Sequence, residues 1–379
     1  MTQIFTNARI VLIDRVIDGT VTTADGTIRT VDDGRAASNG HDLEGDYLIP
    51  GLVELHTDNL EKHYEPRRQV YWDPIAAAVN HDAVIATSGI TTVYDALCLG
   101  LTEKGELRSE HLRPMVDGIL SARAAGMFRA DHKLHLRCEV IGETVLDQLA
   151  AFETDHRAVG IVSLMDHSPG QRQTANVEYW RQYTRATVGL SDAEMDAEFD
   201  RLRTASDTIG PRQRRAISDW AQTRGQVLAS HDDETVAHVE ESRDLGCTIA
   251  EFPTTKAAAD ASRQHGLAIL MGAPNLVRGK STSGNVTAIE LARRDLLDIV
   301  SSDYVPASLI PAAFKLVETV DGWDLPRAVA TMTDTPARVA GLTDRGRIEA
   351  GLRADLVQVR VVDGRPVVRG VWREGRRVA

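Results

Sequence analysis

Short runs of buried-type residues alternate with helical patterns along the middle of the chain, from about residue 51 to residue 343. The runs have the length and apolar content of strands that are covered on both faces, and stretches of helical periodicity separate them. A strand–helix unit repeated eight times predicts an α/β fold, the (β/α)₈ TIM barrel. The predicted strands are GLVELHTD (51–58), TTVYDAL (91–97), KLHLRCEV (133–140), VGIVSLMD (159–166), GQVLASHDD (225–233), GCTIAEFP (246–253), LAILMGAP (267–274) and LLDIVSSDY (296–304).

Both ends of the chain show a different pattern. Residues 2–49 alternate apolar and polar side chains and are interrupted by Asp-Gly and other glycine turns, and the last residues do the same. This alternation is typical of short antiparallel strands. We therefore expect residues 1–50 and 344–379 to form one small β-sandwich from both termini, and residues 51–343 to form the barrel. The polar segment 168–215 is expected to be an insertion near the barrel mouth, where such segments form lids.

Composition and charge narrow the functional classes. The 379 residues are 42% hydrophobic and carry a formal net charge of −12, which argues against non-specific binding to nucleic acid or to an anionic membrane. We find no signal peptide pattern and no apolar run of the roughly 18 residues that a membrane helix needs. The three cysteines, Cys98, Cys138 and Cys247, form no paired motif, so we expect a reducing, cytoplasmic setting.

Most of the predicted strands end in an imidazole or a carboxylate. In a TIM barrel these ends meet at one mouth, and so many acidic groups together need cations to neutralise them. Unconnected caps and surface charges are the alternative explanation. Two side chains at i and i+2 of a strand, such as His56 and Asp58, share a face. The strand-end residues are His56, Asp58, Glu139, Asp166, His167, His231, Glu251 and Asp303.

The segments LIPGLVELHTD and RIEAGLRADLVQV, the β-rich ends and Asp303 after SSD resemble the amidohydrolase superfamily over essentially the whole chain. Members of that superfamily use His-x-His on the first strand, a bridging Lys or Glu, histidines on the fifth and sixth strands and Asp on the eighth. The resemblance implies that His56 and His231 bind metal and that Glu139 bridges two ions. It also implies that Asp303 binds metal and accepts a proton from water.

Two positions depart from the superfamily pattern. Asp58 and Glu251 stand where the superfamily has histidines, and as metal ligands they would make the site richer in oxygen. Such sites shift the preference from Zn²⁺ towards Mn²⁺ or Mg²⁺, although zinc also accepts carboxylates. The four carboxylates of Asp58, Glu139, Glu251 and Asp303 match the charge of two divalent ions. Hard ions bind phosphate oxygens well, so the pattern favours cleavage of a P–O bond over a C–N bond.

Seven further motifs give a closer resemblance to one branch of the superfamily, the diphosphatases that serve the carbon–phosphorus lyase pathway. They are HTDNLEKH, HLRCEV, SLMDHSPGQRQ, SHDDE, EFPTT, GAPNLVRGKSTSGN and SSDYVPASL. The resemblance implies hydrolysis of a ribosyl 1-methylphosphonate 5-triphosphate to the 5-phosphate with release of diphosphate. A partner enzyme of that pathway would then cleave the C–P bond. Three roles stay open for His167: a metal ligand, a general acid for the leaving group, or a residue that hydrogen-bonds a metal ligand.

A polyphosphate substrate also needs cationic side chains. The loop after the seventh predicted strand, APNLVRGKSTSGN, places basic and hydroxyl side chains among glycines that let backbone amides turn towards an anion. Taken alone, such a loop is more typical of a solvated flexible surface, but its position at the mouth of a metal-binding barrel favours contact with the substrate. The candidate substrate contacts are Arg278, Lys280, Ser281, Ser283 and Asn285 in this loop, Gln171, Arg172 and Gln173 in the insertion, and Arg137, Lys256 and His63 elsewhere.

Two other functions stay open at this point. One is a C–N hydrolase on the same scaffold, such as a sugar-phosphate deacetylase, which would favour a histidine-rich zinc site. The other is a metal-free scaffold protein, which should have lost several ligand positions. The sequence also leaves open the identity of the metal and the subunit count, a homo-oligomer included.

Overall fold

The computed structural model describes residues 2–34, 39–100, 111–281 and 284–379. Within these residues the strands form two separate sheets, each of eight strands. The strands are β1 (Thr2–Val11), β2 (Val16–Ala24), β3 (Thr27–Asp33), β4 (His41–Asp42), β5 (Tyr47–Pro50), β6 (Leu52–Thr57), β7 (Ile90–Leu99), β8 (Asp131–Glu139), β9 (Val159–Met165), β10 (Val227–His231), β11 (Ile249–Glu251), β12 (Ala268–Gly272), β13 (Ile299–Ser301), β14 (Leu356–Val362), β15 (Arg365–Arg373) and β16 (Arg376–Arg377).

The strands β6 to β13 form a parallel barrel in chain order, which confirms the predicted fold. The barrel closes where the first strand meets the last. Thr57 forms a parallel bridge with Asp303, and the backbone amide of Asp303 donates to the carbonyl of His56 at 3.1 Å. Between β10 and β11 the register sets His231 beside Glu251. Strand pairing therefore brings side chains from distant parts of the sequence to one level of the mouth.

Helices connect the barrel strands and cover the outside of the barrel. Several begin at a residue whose side chain caps the first turn, such as Thr235 and Thr255, which satisfies amide groups that have no helical partner. The helices are α1 (Leu60–Tyr64), α2 (Pro74–Thr87), α3 (Leu112–Ala124), α4 (Val145–Ala150), α5 (Val177–Thr187), α6 (Asp192–Thr208), α7 (Gly210–Thr223), α8 (Val236–Asp244), α9 (Lys256–Gln264), α10 (Ala273–Arg278), α11 (Ala288–Ala292), α12 (Leu309–Thr319), α13 (Leu325–Ala330) and α14 (Asp334–Val339).

Apolar side chains fill the inside of the barrel below the mouth. Val53, Leu55, Ile161 and Ile249 form part of this buried cluster, together with Ala337 from α14. Side chains that alternate along each barrel strand point inward and outward in turn. The same strands therefore supply both this core and the polar residues of the mouth.

The two ends of the chain share the second sheet, in the order β16-β15-β14-β5-β1-β2-β3, with β4 beside β1. Its core includes Phe5, Ile28 and Trp372, and the rings of Phe5 and Trp372 meet edge to face at 4.9 Å between centroids. Val357 and Val371 also belong to the large buried cluster of the barrel. This sheet built from both termini is the predicted small domain.

The polar segment 168–215 is mainly helical. It contains α5 and α6, and it ends inside α7, whose residues Ile217 and Ala221 pack into the barrel's outer core. Helix α6 begins with a capping box in which Ser191 and Glu194 satisfy each other's backbone amides. Within the described ranges, none of the helices has the length and apolar character to cross a membrane.

Candidate active site

The side chains predicted as metal ligands meet at the carboxyl ends of the barrel strands. His56 lies near the end of β6, and Glu139, His231 and Glu251 are the last residues of β8, β10 and β11. All four are buried, and Asp303 follows β13 by two residues. Their convergence confirms that these strand ends share one mouth, as expected of a TIM barrel. The metal-binding role of each residue stays a prediction.

His56, Glu251 and His231 form a hydrogen-bonded triplet. Nδ1 of His56 lies 3.0 Å from Oε1 of Glu251, and Nδ1 of His231 lies 3.3 Å from Oε2 of the same carboxylate. The two imidazole rings are nearly parallel, at 13° and with centroids 5.6 Å apart. Burial lowers the pKa of His231 to about 3, so that its ring is neutral and can act as a metal ligand.

Asp303 and Asp58 come together where the barrel closes. The amide of Asp58 donates to the carbonyl of Asp303 at 3.3 Å, and Nη1 of Arg137 lies 3.6 Å from Oδ2 of Asp58. Burial, with the Asp58 charge, raises the pKa of Asp303 to about 7 against the lowering effect of Arg137. Asp303 has a φ of 54°, a left-handed conformation that costs a non-glycine residue energy and is common at functional sites.

His167 follows β9 and contacts Glu139 at the end of β8. Its Nδ1 lies 2.5 Å from Oε2 of Glu139, and its backbone amide donates to Oε1 of the same residue at 3.1 Å. Burial opposes protonation of this ring, but the Glu139 charge and hydrogen bond outweigh it and raise the pKa of His167. A protonated His167 beside the mouth can give a proton to a leaving group.

Asp232 is a site residue that the predicted ligand set omitted. Burial raises its pKa to about 7, and its Oδ2 is buried without a hydrogen-bond partner among the described residues. This oxygen lies 3.4 Å from Nε2 of His231 and 3.9 Å from Nε2 of His167. Two ligands of one tetrahedral ion, each at 2.0–2.1 Å, are about 3.3 Å apart. The orphaned oxygen and these spacings therefore fit a divalent cation.

His135 is a second omitted residue, and it lies just below the mouth. Its Nδ1 is 2.8 Å from the carbonyl oxygen of Leu55, and its Nε2 is 2.9 Å from Oγ of Ser163. The sequence carried a signal for it, because positions 135, 137 and 139 of one strand share a face. Nothing in the sequence indicated that Asp232, which is adjacent to His231, would adopt a φ of 55°.

A polar cleft opens above these residues. Arg278, Lys280, Ser281 and Asn285 line it, together with Arg137 from the strand below and Gln173 from the insertion. The basic side chains of the loop after β12 therefore face the same space as His56, His231 and Asp303. Ser283 lies outside the described residues.

Four predicted substrate contacts do not line the cleft. Gln171 donates to Oγ of Ser206 at 3.0 Å within the insertion. Arg172 is buried in an ion pair with Asp233 and also donates to the carbonyl of His231 at 3.2 Å, so it ties the insertion to the end of β10. Lys256 lies on the exposed side of α9 and pairs at 3.3 Å with Glu290 of α11. Nε2 of His63 accepts a hydrogen bond from the side-chain amide of Asn59 at 3.3 Å.

A second cluster of histidines and carboxylates lies buried between the barrel and α2. Asp95 contacts His81 and His132 at 2.8 Å each. His132 in turn lies 3.3 Å from Asp82, and His81 lies 3.1 Å from the side-chain nitrogen of Asn59. The place of His81 inside this hydrogen-bond network indicates a structural role.

Comparison with known proteins adds a close relative and several structural neighbours. No family model matches the chain. The chain is 46% identical over 379 residues to the alpha-D-ribose 1-methylphosphonate 5-triphosphate diphosphatase of Escherichia coli (strain K12), covering 99% of this chain and 100% of that protein.

Solved structures share the fold at low identity. N-acetyl-D-glucosamine-6-phosphate deacetylase from Mycobacterium smegmatis has a TM-score of 0.65 at 15% identity, covering 100% of both chains. A 5-methylcytosine deaminase from Klebsiella pneumoniae has a TM-score of 0.67 at 16% identity, covering 100% of this chain and 98% of that one. A structure described as an amidohydrolase has a TM-score of 0.62. The predicted amidohydrolase fold is confirmed.

Proposed function

Because this chain belongs to the family of the alpha-D-ribose 1-methylphosphonate 5-triphosphate diphosphatase, we propose that it hydrolyses that ribosyl triphosphate to the 5-phosphate and diphosphate. One observation carries the proposal beyond the family likeness. A cleft floored by imidazoles and carboxylates is walled by Arg137, Arg278 and Lys280. Such a cleft offers cations to a polyphosphate and acid–base groups to the bond that breaks.

The acidic floor would hold divalent cations, which we take to be two ions of Mn²⁺, Mg²⁺ or Zn²⁺. The side chains available to hold them are His56, Asp58, Glu139, His231, Glu251 and Asp303, with Asp232 added by the structure. When bound, divalent ions lower the pKa of water and neutralise charge on phosphoryl oxygens. Carboxylates outnumber imidazoles in this set, which suits hard ions.

Asp303 is the base in this proposal. It takes a proton from the water that attacks the α-phosphorus, from its place where the barrel closes beside His56 and Asp58. The new bond joins the water oxygen to the α-phosphorus, and the bond from this phosphorus to the α–β bridging oxygen breaks. The electron pair leaves with diphosphate, and His167, protonated beside Glu139, gives the leaving oxygen a proton.

Arg278, Lys280 and Arg137 would bind the phosphate oxygens. Guanidinium groups match phosphate in two-pronged hydrogen bonds, and an ammonium acts as a point charge. Ser281 and Asn285 line the same wall and would donate to oxygens between these cations. Local positive charge is needed because the whole chain is acidic, at −12, and would otherwise repel a triphosphate.

Phosphorus NMR tests the bond that breaks. The metal-loaded protein is incubated with the ribosyl 5-triphosphate in water enriched in oxygen-18, beside N-acyl sugar phosphates as competing substrates. We expect diphosphate as the product and the heavy oxygen in the 5-phosphate. Release of orthophosphate, label in diphosphate, or preferential cleavage of the N-acyl compounds would each contradict the proposal.

The Asp303→Asn variant tests the base. We expect turnover to fall by about 10²–10⁴, the usual contribution of general base catalysis, with metal content measured in parallel. Near-normal turnover with metal bound would remove Asp303 from that role. We place the protein in the cytoplasm, and we propose that its product passes to an enzyme that cleaves the C–P bond.

A further inference from the structure

We propose that Glu54 is a positioning residue for Asp303. Its carboxylate joins the first and last strands of the barrel and holds the backbone from which Asp303 reaches the mouth. The inference deepens the proposed function and rests on it for the role of Asp303 as the base. The way in which the barrel closes leads to this assignment.

The first and last strands of the barrel do not pair along their length. In the described residues, a single bridge, between Thr57 and Asp303, joins β6 to β13. Lower in the barrel, the backbone amides of Val53 and Val300 each donate at 2.9 Å to a carbonyl of residues 331–332. A segment from outside the sheet thus takes hydrogen bonds that a neighbouring strand would otherwise take. A gap in the ladder remains between this segment and the bridge at the mouth.

The Glu54 side chain fills this gap. Its Oε1 accepts from the backbone amide of His56, on its own strand, at 2.7 Å. Its Oε2 accepts from the backbone amide of Ser302, just after β13, at 2.6 Å. The hydroxyl of Ser301 lies 2.7 Å from Oε1, and the whole Glu54 residue is buried, with 0% of its surface exposed. One carboxylate therefore replaces the strand pairing that is missing at this level.

The direction of these hydrogen bonds follows from the groups involved. A backbone amide can only donate, and an ionised carboxylate can only accept, so no choice of tautomer enters. Short bonds to a carboxylate are charge-assisted and among the strong ones. The mouth side chains that lie close enough to share an ion include His56 and Glu251 but, within the described part of the chain, not Glu54. Glu54 is thus a support beneath the mouth and not one of its candidate ligands.

Asp303 depends on this support because its backbone is strained. Its φ of 54° is left-handed, and such a conformation persists only where the surrounding structure over-determines it. The Asp303 amide donates to the carbonyl of His56 at 3.1 Å, and its carbonyl accepts from the hydroxyl of Thr57 at 2.9 Å. Glu54 holds the preceding residue, Ser302, from the same strand. The carboxylate therefore fixes the point at which the left-handed turn begins.

The first measurement follows backbone amides by NMR in metal-free protein. In Glu54→Gln the amide oxygen should stay with the two donors at Oε1, so that the NH₂ group, which cannot accept, faces the amide of Ser302. We expect hydrogen exchange at Ser302 and Asp303 to become at least about tenfold faster, the loss expected for a hydrogen bond to a charged group. Glu54→Asp keeps the charge but shortens the reach, and should act in the same direction. Unchanged exchange at both amides in both variants would overturn the proposal.

The second measurement separates kcat from KM for the ribosyl triphosphate at Mn²⁺ concentrations that give full occupancy. A displaced base predicts that kcat falls by about 10–100-fold in both variants. KM should stay within about threefold, because Arg278 and Lys280 reach the cleft from the loop after β12. If Glu54 only closes the barrel, the free energy of unfolding falls while kcat is kept, and that outcome would refute the positioning role.

Asp131→Asn is the matched control for lost stability. Asp131 is the first residue of β8, at the end of the barrel away from the mouth, and its carboxylate accepts from Nη1 of Arg345 at 2.9 Å. This variant also removes a carboxylate that ties a barrel strand to a neighbour. We expect it to lower the free energy of unfolding, measured with urea, and to keep kcat within about twofold. An equal fall of kcat in Asp131→Asn would show that kcat follows stability and would contradict the proposal.

The two readouts distinguish this inference from the proposed function. If exchange at Ser302 and Asp303 accelerates in the Glu54 variants but the unmodified protein releases no diphosphate, the proposed function fails and the hold of Glu54 on Asp303 stands. If diphosphate is released and neither exchange nor kcat changes in the variants, the positioning role fails alone.

Discussion

The mouth of the barrel and the buried network beside α2 use the same residue types in opposite ways. In the network, every side-chain nitrogen and oxygen of His81, Asp82, Asp95 and His132 has a hydrogen-bond partner at 2.8–3.3 Å. In the mouth, an oxygen of Asp232 is buried without one. Three of the residues that follow the strands there, Asp232, Phe252 and Asp303, have left-handed backbones, whereas the four network residues do not.

The difference shows that composition alone does not identify a metal site. The ligand atoms of His81, Asp95 and His132 are close enough to one another to hold an ion, but Asp95 hydrogen-bonds both imidazoles directly at 2.8 Å. Those contacts are direct hydrogen bonds that hold the barrel to its helices. The mouth instead carries unsatisfied acceptors and strained backbone, which stable folds retain where a ligand compensates for them.

The largest expected effect is on the stability of the network. Asp95→Asn keeps the shape but lets the side chain accept from only one imidazole, so the buried His132 charge loses the Asp95 carboxylate and keeps only Asp82 at 3.3 Å. We expect the free energy of unfolding to fall by about 3–5 kcal/mol, as when one member of a buried ion pair is removed. Urea denaturation measures the change. Asp207→Asn on the exposed side of α6 is the control. If Asp95→Asn lowers the free energy of unfolding by less than about 1 kcal/mol, Asp95 is not the partner of a buried charge.

The network should also give stability a pH dependence. Burial opposes the charge on His132, but the Asp95 charge and the hydrogen bond to Asp82 raise its pKa to about 9. Because this value exceeds that of an unfolded histidine, the contribution is complete below pH 6.5 and is lost as the pH rises through 9. The slope is up to about 1.4 kcal/mol per pH unit.

This pH dependence is measured as a difference between two proteins. Urea denaturation at several pH values between 6.5 and 9 is compared for the unmodified chain and for His132→Gln, which cannot titrate. The unmodified chain should lose stability more steeply. Parallel curves would show that His132 is not the titrating group.

Metal binding should stabilise the mouth without involving the network. An ion that binds only the folded chain adds about 2.7 kcal/mol to the free energy of unfolding at 100 times its Kd. We expect Mn²⁺ to give this gain in the unmodified protein and the same gain in Asp95→Asn, because free-energy changes at distant, independent sites are additive. Denaturation with and without Mn²⁺ measures it. A gain that vanishes in Asp95→Asn would make the two clusters one cooperative unit.

The mouth of the barrel could be predicted from the sequence to a greater extent than the buried network. The barrel was predictable because eight buried runs separated by helical periodicity leave few other topologies. The strand-end residues followed from the barrel, because parallel strands deliver their carboxyl ends to one face. His56, Glu139, His231 and Glu251 come together for that reason alone.

The network and several contacts were not readable, because they depend on which partner a side chain meets in space. His81 and Asp95 lie 14 positions apart and are joined only after α2 packs on β7. Arg172 and Lys256 look like free cations in the sequence, yet Asp233 and Glu290 engage them. Asp232 was not predicted as a ligand because a regular strand would place it on the face opposite His231. Its left-handed backbone turns it towards the mouth instead.

The smallest expected effect separates cations in the cleft from cations outside it. Arg278 lines the cleft, whereas Lys256 pairs with Glu290 on the exposed side of α9. We expect Arg278→Ala to raise KM for the ribosyl triphosphate about tenfold, or about 1.4 kcal/mol of binding free energy, with kcat little changed. Lys256→Ala should leave both constants within about twofold, because exposed ion pairs contribute little. Equal losses in the two variants would show that general positive charge, rather than the wall of the cleft, attracts the triphosphate.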